Sequence, residues 1–462
     1  MAIVHLLFHL VRDAAGKPVY DDEALAGLLS ARPLAEVVET VMGDRGGAPL
    51  HFVLAHVTLA LDPSPVALRA LSIVFALGTV ALCYDLGRRL GGHVAGAAAA
   101  AVAAGSDLLL VYGSFGRMYA LFAFAAALAA DLFARALEQR TGQAAAVAAL
   151  AALLLPASHP YGIVPFAVEA AVGLALWRGR PLRPALPTLA IGLCVAPFLV
   201  ADLRLLDRFS VGIGGDSLAQ RRGFGNFARE VLGGLGGGTG FALVLLLLLA
   251  GAGLALLAAR TRPFAVFAGG VFAASALVLV LARAGDPAPL SSRYFIFLLP
   301  VWAALVGTAA ARLGIVGVAS LAALIFLAHG QAIKDPRVLE AAKPESLKVP
   351  AQWVQARVGD RDVLFPYSPV YLSALPEAGQ ATIVSRSRPE LLLRELDEAR
   401  FPVLNVFVAV PQDGSWRVLV TAGPFVDRIA VLRALQSSLL RSDPDPYVLK
   451  ARSAVAAALA DL

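Results

Sequence analysis

Three consecutive carboxylates, Asp21, Asp22 and Glu23, follow the first apolar segment of this chain and precede the run Pro49-Leu50-His51-Phe52. Charged groups at the edge of an apolar protein are costly to desolvate, which marks them as candidates for function. A carboxylate can take the proton of an attacking hydroxyl. A departing phosphate needs the opposite, cations and forked hydrogen-bond donors. Two arginines with tyrosines beside them offer these: Arg117 in Tyr112-Gly-Ser-Phe-Gly-Arg-Met-Tyr119, and Arg293 in Ser292-Arg-Tyr294-Phe295. Together they are parts for moving a group from a phosphate to a hydroxyl. Plainer roles fit the same residues. Asp21 or Asp22 could cap the helix beginning near Glu23, and both arginines could be snorkelling anchors within an aromatic belt.

Ser158-His159-Pro160-Tyr161 closes a short turn, where His159 and Tyr161 could touch substrate or simply serve the loop. His51 and Arg69 lie near the same boundary without a specific pattern. Residues 204–240 carry Arg221-Arg222 and a glycine run from Gly233. A phosphate-cradling loop needs a strand before it and a soluble helix after it. These glycines lead into an apolar span, so they read as flexible or closely packed backbone, and the arginine pair as a contact for an anionic donor or lipid headgroup. Ser–His–Asp order, zinc spacing and nucleotide-binding motifs do not stand out. The two cysteines, Cys83 and Cys194, both fall in apolar spans and read as small buried hydrophobes.

The elements that must position these residues are membrane helices. Of 462 residues, 58% are hydrophobic and 16% charged, whereas globular chains carry about 25% charge. The net charge of +6 sits largely in short loops and does not signal nucleic acid. Hydropathy predicts about eleven spans: a short first segment, 1–11, then 65–88, 93–112, 116–137, 143–158, 160–178, 184–203, 241–260, 263–283, 294–311 and 313–331. Residues 49–61 read as a juxtamembrane or re-entrant helix. Eleven helical residues reach only about 17 Å, short of a hydrocarbon core of roughly 30 Å. Either Leu10–Ala15 also dips into the membrane or the start is truncated or misassigned, and the second is the expectation. A cleavable signal peptide is not evident.

Charge bias orients the chain. Arg88, Arg89, Arg135, Arg140, Arg178, Arg180, Arg183, Arg260, Arg262 and Arg312 fall on one side, which the positive-inside rule makes cytoplasmic. The carboxylates, the 106–117 turn, 158–161, 204–240, 283–293 and everything after Lys334 then face outward from the plasma membrane. Beyond three prolines, apolar runs become short and β-rich (362–365, 381–384, 403–410, 416–421), with helical patterns at 351–358, 389–399 and 426–440. Alternating strands and helices predict a small α/β domain. The expected organisation is a transmembrane domain at 1–331 with a first outer loop at 12–64, a linker at 332–349 and an extracytoplasmic α/β domain at 350–462.

An ordered set of motifs resembles the GT-C superfamily of integral-membrane glycosyltransferases, in particular bacterial relatives of protein O-mannosyltransferases and of the lipid A aminoarabinose transferase. The set is Asp22-Glu23, Gly-Gly-Ala-Pro49-Leu-His-Phe, Leu68-Arg69-Ala-Leu-Ser, Gly87-Arg-Arg-Leu-Gly-Gly, Tyr112 with Arg117-Met-Tyr-Ala-Leu, Ser-His159-Pro-Tyr and Arg293-Tyr-Phe with Pro300. It covers roughly residues 15–330. Phe115-Gly116 stand where the family has a polar pair. The resemblance implies a polytopic α-helical GT-C fold and an inverting transferase that uses a polyprenyl-phosphate sugar on the outer face. It casts Asp22 as the catalytic acid residue, with Glu23 or Asp21 in support, and Arg117 near the donor phosphate. With Arg293, Tyr112, Tyr119 and Tyr294 this gives a phosphate site, and His159, Tyr161 and His51 are substrate-binding candidates. The transferred sugar would be a hexose or pentose, and the acceptor a glycan, lipid or protein. No redox or nucleotide cofactor is expected, although clustered carboxylates and a phosphate can share a divalent cation. A transporter or lipid flippase is the competing class, and it would show repeats and midplane charges. A membrane scaffold with an outer binding domain is the third.

Overall fold

The structure is a computed structural model. It describes residues 2–16, 19, 21–44, 48–177, 190, 192–201, 223–236, 240–284, 291–332, 352–366, 381–384, 389–412, 415–444 and 446–462. Helices dominate: α1 (Ala2–Gly16), α2 (Asp21–Ser30), α3 (Leu34–Asp44), α4 (Leu50–Leu61), α5 (Pro65–Gly91), α6 (His93–Ala104), α7 (Asp107–Tyr112), α8 (Tyr119–Gln139), α9 (Gly142–Ala152), α10 (Leu154–Ser158) and α11 (Ile163–Trp177). After them come α12 (Gly192–Ala201), then α13 (Phe224–Gly236), α14 (Phe241–Arg260), α15 (Arg262–Ala284), a 3-10 helix (Ser292–Leu298), α16 (Leu299–Ala310) and α17 (Gly314–Ala332). Five stretches are long and apolar enough to cross a membrane: Pro65–Gly91, Tyr119–Gln139, Phe241–Arg260, Arg262–Leu281 and Ser292–Ile325. Several of the eleven expected spans take other forms. The stretch 93–112 breaks at Gly105-Ser106 into α6 and α7, 143–158 divides into α9 and α10, and 184–203 lies partly outside the described residues. The first helix extends to Gly16 rather than ending at Val11.

Local chemistry sets the helix ends. Ser64 caps α5, accepting from the Ala67 N–H at 3.2 Å, with Pro65 at the first helical position and Arg88 and Arg89 in the last turn. Ser106 breaks the 93–112 stretch by capping α7, and its hydroxyl donates to the Gly234 carbonyl at 2.8 Å. Lipid offers no hydrophobic drive between helices, so close backbone approach at small residues does the packing. A Cβ at Gly307 would lie 2.6 Å from the Ala95 carbonyl oxygen, and one at Gly253 only 2.0 Å from that of Leu305. Gly253→Ala therefore forces α14 and α16 apart. The expected cost is about 1–3 kcal/mol, read as a lower Tm of the detergent-solubilised protein, and an unchanged Tm would refute the tight contact.

Helices α5 and α8 run parallel, and their C-terminal ends share an ionic cluster. Arg89 reaches Asp131 at 2.8 Å, Asp85 at 2.8 Å and Glu138 at 3.2 Å, and Arg88 pairs with Asp85. At the opposite ends Ser72 donates to the Phe115 carbonyl at 2.7 Å. The arginine-rich ends thus lie together, a helix length away from the 112–119 turn.

The chain divides into two compact units, Met1–Lys17 with Leu29–Leu339, and Pro18–Leu28 with Glu340–Leu462. The boundary at 339/340 falls within the expected linker at 332–349, whereas residues 18–28, expected in the first outer loop, group with the C-terminal part. The second unit contains a sheet of order β2-β1-β3-β4, formed by β1 (Val363–Pro366), β2 (Thr382–Ile383), β3 (Val403–Gln412) and β4 (Ser415–Phe425). β1 is parallel to β2 and β3, while β3 and β4 form an antiparallel hairpin. Alternation along β3 sends Val406, Val408 and Val410 into one core and Phe407 and Ala409 into another. Helices α18 (Leu392–Asp397), α19 (Arg428–Leu440) and α20 (Pro446–Ala460) complete the unit. The sequence reading omitted α20, whose buried Val448, Ala451, Val455 and Ala458 follow helical spacing.

Candidate active site

The segment between α7 and α8 forms the first wall of the site. A side chain at Gly113 would meet the Leu109 carbonyl oxygen at 2.3 Å, so the chain can turn here only because glycine follows Tyr112. The Arg117 N–H then closes a tight turn onto the Phe115 carbonyl at 2.6 Å. This turn gathers Tyr112, Phe115 and Tyr119, with the Tyr112 and Tyr119 rings 5.1 Å apart and Phe115 stacked on Tyr119 at 6.1 Å. Arg117 lies over the Phe52 ring of α4, 5.9 Å from its centroid.

The second wall is the 3-10 helix that starts at Ser292. It brings Arg293 over the rings of Tyr119 and Tyr294, at 5.1 and 5.5 Å. Tyr294 stacks with Tyr119 at 6.3 Å and lies 5.3 Å from Tyr161. His159 completes the frame, stacked on Phe122 at 4.9 Å and 5.1 Å from Tyr294. Its Nδ1 accepts from the Tyr161 N–H at 3.1 Å, which fixes the neutral tautomer with hydrogen on Nε2.

Electrostatics ties the two arginines together. Burial pushes His159 down to about 3, with the charges of Arg293 and then Arg117 adding to the shift. Burial also pushes His51 down to about 3, aided by Arg117 and opposed by the Gly116 backbone. Both imidazoles are neutral at working pH, so the positive charge in this frame is carried by guanidinium groups. The unfolded chain protonates the same histidines near 6.5, so stability contributed by neutral burial is complete above that pH. It is lost as pH falls from about 6.5 toward 3. The Tm should decline on acidification from pH 7 to 5, and a His51→Gln/His159→Gln variant should show a smaller decline. An equal decline in both proteins would contradict the burial.

The residues expected from sequence thus fall in two places. Arg117, Arg293, Tyr112, Tyr119, Tyr294, His51, His159 and Tyr161 come together in the helical unit. Asp21, Asp22 and Glu23 open α2, and they belong to the unit that includes residues 340–462. Glu23 is buried and Asp22 half-buried, and acids in a first helical turn favour the helix dipole. Arg69 is buried in α5 and donates to the Ala14 carbonyl at 3.1 Å, which anchors the end of α1. Arg221 and Arg222 lie outside the described residues. Among the described residues, no group of three or more His, Cys, Asp and Glu side chains is placed to hold a metal ion.

Sequence reasoning missed Phe52 and Phe122, which form ring surfaces of the frame, and Glu230, which accepts from Ser292 Oγ at 3.0 Å. Glu230 sits on α13, inside what reads from sequence as a long loop. The available signal was the apolar spacing of Phe227, Val231 and Leu235, all buried on one helix face. The glycines at its end are closely packed, since a Cβ at Gly234 would lie 3.0 Å from Leu108 and one at Gly236 2.6 Å from Leu246.

No family model matches this chain, and no curated protein matches it in sequence. Solved structures do. ArnT from Cupriavidus metallidurans, bound to undecaprenyl phosphate, superposes with a TM-score of 0.58 at 13% identity, over 92% of this chain and 98% of that one. The archaeal oligosaccharyltransferase AglB from Archaeoglobus fulgidus, in complex with an inhibitory peptide and a dolichol-phosphate, gives 0.50 at 13%, over 88% and 69%. The arabinofuranosyltransferase AftD from Mycobacteria gives 0.52 at 17%, covering 94% of this chain, which spans 36% of that larger protein. At these identities the likeness is one of fold: this chain shares the fold of ArnT, AglB and AftD.

Proposed function

We propose that the protein is an inverting glycosyltransferase that moves a sugar from a polyprenyl-phosphate donor to an acceptor hydroxyl on the outer face of the plasma membrane. The observation that carries this reading is the convergence of Arg117 and Arg293 on one aromatic frame around a neutral His159. Two fixed guanidiniums in a largely buried setting suit a phosphate whose charge grows as the glycosidic bond breaks. The frame also lies at the helix ends opposite the Arg88–Arg89 cluster, where the positive-inside rule expects the outer side. ArnT and AglB, which share the fold, are seen with undecaprenyl phosphate and dolichol-phosphate.

In the proposed reaction Asp22 takes the acceptor hydroxyl proton as that oxygen attacks the anomeric carbon, with Glu23 or Asp21 in support. The bond from that carbon to the phosphate oxygen breaks, and polyprenyl phosphate leaves on Arg117 and Arg293. Tyr112, Tyr119 and Tyr294 hold the guanidiniums and phosphate in place, and His159, Tyr161 and His51 line the substrate side. A single displacement inverts the anomeric centre. The scheme needs no redox or nucleotide cofactor. The C-terminal α/β unit would face the same outer side.

The test is transfer by the full chain in membranes, offered labelled sugars on polyprenyl phosphate and, separately, as nucleotide sugars. Label should move only from the lipid donors, releasing polyprenyl phosphate and inverting the anomeric configuration. Transfer from nucleotide sugars, or retention of configuration, would overturn the scheme. Movement of lipid across the bilayer without transfer would favour the flippase reading.

A further inference from the structure

Helix α13 is tied to the start of α7 by one contact and to the second wall of the site by two. Ser106 Oγ donates to the Gly234 carbonyl at 2.8 Å, Phe227 meets Phe295 edge-on at 6.0 Å, and Ser292 Oγ donates to Glu230 Oε1 at 3.0 Å. The third is the only one that touches the residue immediately before Arg293. The 3-10 helix carrying Arg293 has no side-chain cap of its own, since Ser291 precedes it without capping. Its first turn is closed by the Tyr294 N–H on the Ser291 carbonyl at 3.0 Å. Ser292 is buried and Glu230 half-buried, so their hydrogen bond is partly shielded from water, and a hydroxyl-to-carboxylate bond is stronger than a neutral one.

We infer that Glu230 is a positioning residue for phosphate binding: through Ser292 it sets the turn that holds the Arg293 guanidinium against Tyr119 and Tyr294. The inference rests on the proposed role of Arg293 toward the donor phosphate. It assigns α13 a function beyond closing the outer loop, because the aim of a forked donor tolerates little backbone movement.

The experiment uses the full chain in nanodiscs and two readouts. One is the affinity for polyprenyl phosphate without any acceptor; the other is KM and kcat for transfer. Glu230→Ala and Ser292→Ala should each weaken polyprenyl-phosphate binding and raise donor KM by about tenfold, the scale of one charge-assisted hydrogen bond. The double variant should be no worse than either single change, because both remove the same contact. Glu230→Gln, which can still accept from Ser292, should recover most of the affinity. Wild-type affinity in both alanine variants, or additive losses in the double variant, would overturn the inference. So would losses that Glu230→Gln fails to rescue, provided the unliganded Tm is unchanged. Wild-type protein that binds polyprenyl phosphate tightly but transfers no sugar would defeat the proposed function while leaving this positioning role intact. Wild-type protein that binds no polyprenyl phosphate would defeat both.

Discussion

Asp22→Asn should lower sugar transfer by about 10²–10⁴-fold, the range contributed by a positioned general base. Asparagine keeps the size and the hydrogen-bonding oxygen of aspartate but cannot take a proton. Donor binding should therefore change little while kcat collapses, since the lost interaction exists only in the transition state. Asp22 is half-buried in the first turn of α2. Its two neighbours make the control informative. Asp21→Asn should be milder, and Glu23→Gln should combine a catalytic loss with a loss of stability, because Glu23 is buried. Equal transfer by wild type and Asp22→Asn would remove this residue from the mechanism and return it to the plainer role of favouring a helix start.

Arg293→Ala should cost about 10²–10³-fold in kcat/KM, comparable to deleting one fixed donor from a site of developing negative charge. The guanidinium is held over two aromatic rings, at 5.1 and 5.5 Å. It therefore pays little reorganisation when the phosphate departs. Arg293→Lys separates charge from geometry: an ammonium keeps the charge but loses the planar fork, so an intermediate loss of activity is expected. Arg117→Ala should resemble Arg293→Ala, because each guanidinium lies over an aromatic ring of the same frame. Full activity in Arg293→Ala would recast the arginine–tyrosine frame as an interfacial anchor, the reading that competes with it from sequence alone.

Much of the architecture was legible in the residues. Membrane helices announce themselves because lipid requires long apolar stretches with internally satisfied backbones. The spans at 65–91, 119–139, 241–260 and 262–281 appear where hydropathy places them. The strands of the C-terminal unit were legible through β-branched runs and punctuation, whereas their order β2-β1-β3-β4 was not. Less legible were interruptions inside apolar runs. At Gly105-Ser106 the break combines a local cap of α7 with a bond from Ser106 to the Gly234 carbonyl, 128 residues away. Helix α20 was missed because alanine-rich surfaces give little contrast between buried and exposed positions.

The sequence by itself determined which reactive residue types are available and where the long apolar helices lie, because both are local properties: carboxylates able to accept protons, arginines able to fork around an anion, and tyrosines beside them. Only the tertiary structure decided that Arg117 and Arg293, 176 positions apart in the chain, act on one neutral His159. It alone placed Phe52, Phe122 and Glu230 around them and grouped residues 18–28 with the C-terminal unit. The reason is physical. Residue chemistry and hydropathy are local properties, whereas burial, ring stacking and the field of a distant charge exist only once packing brings remote segments within a few ångströms.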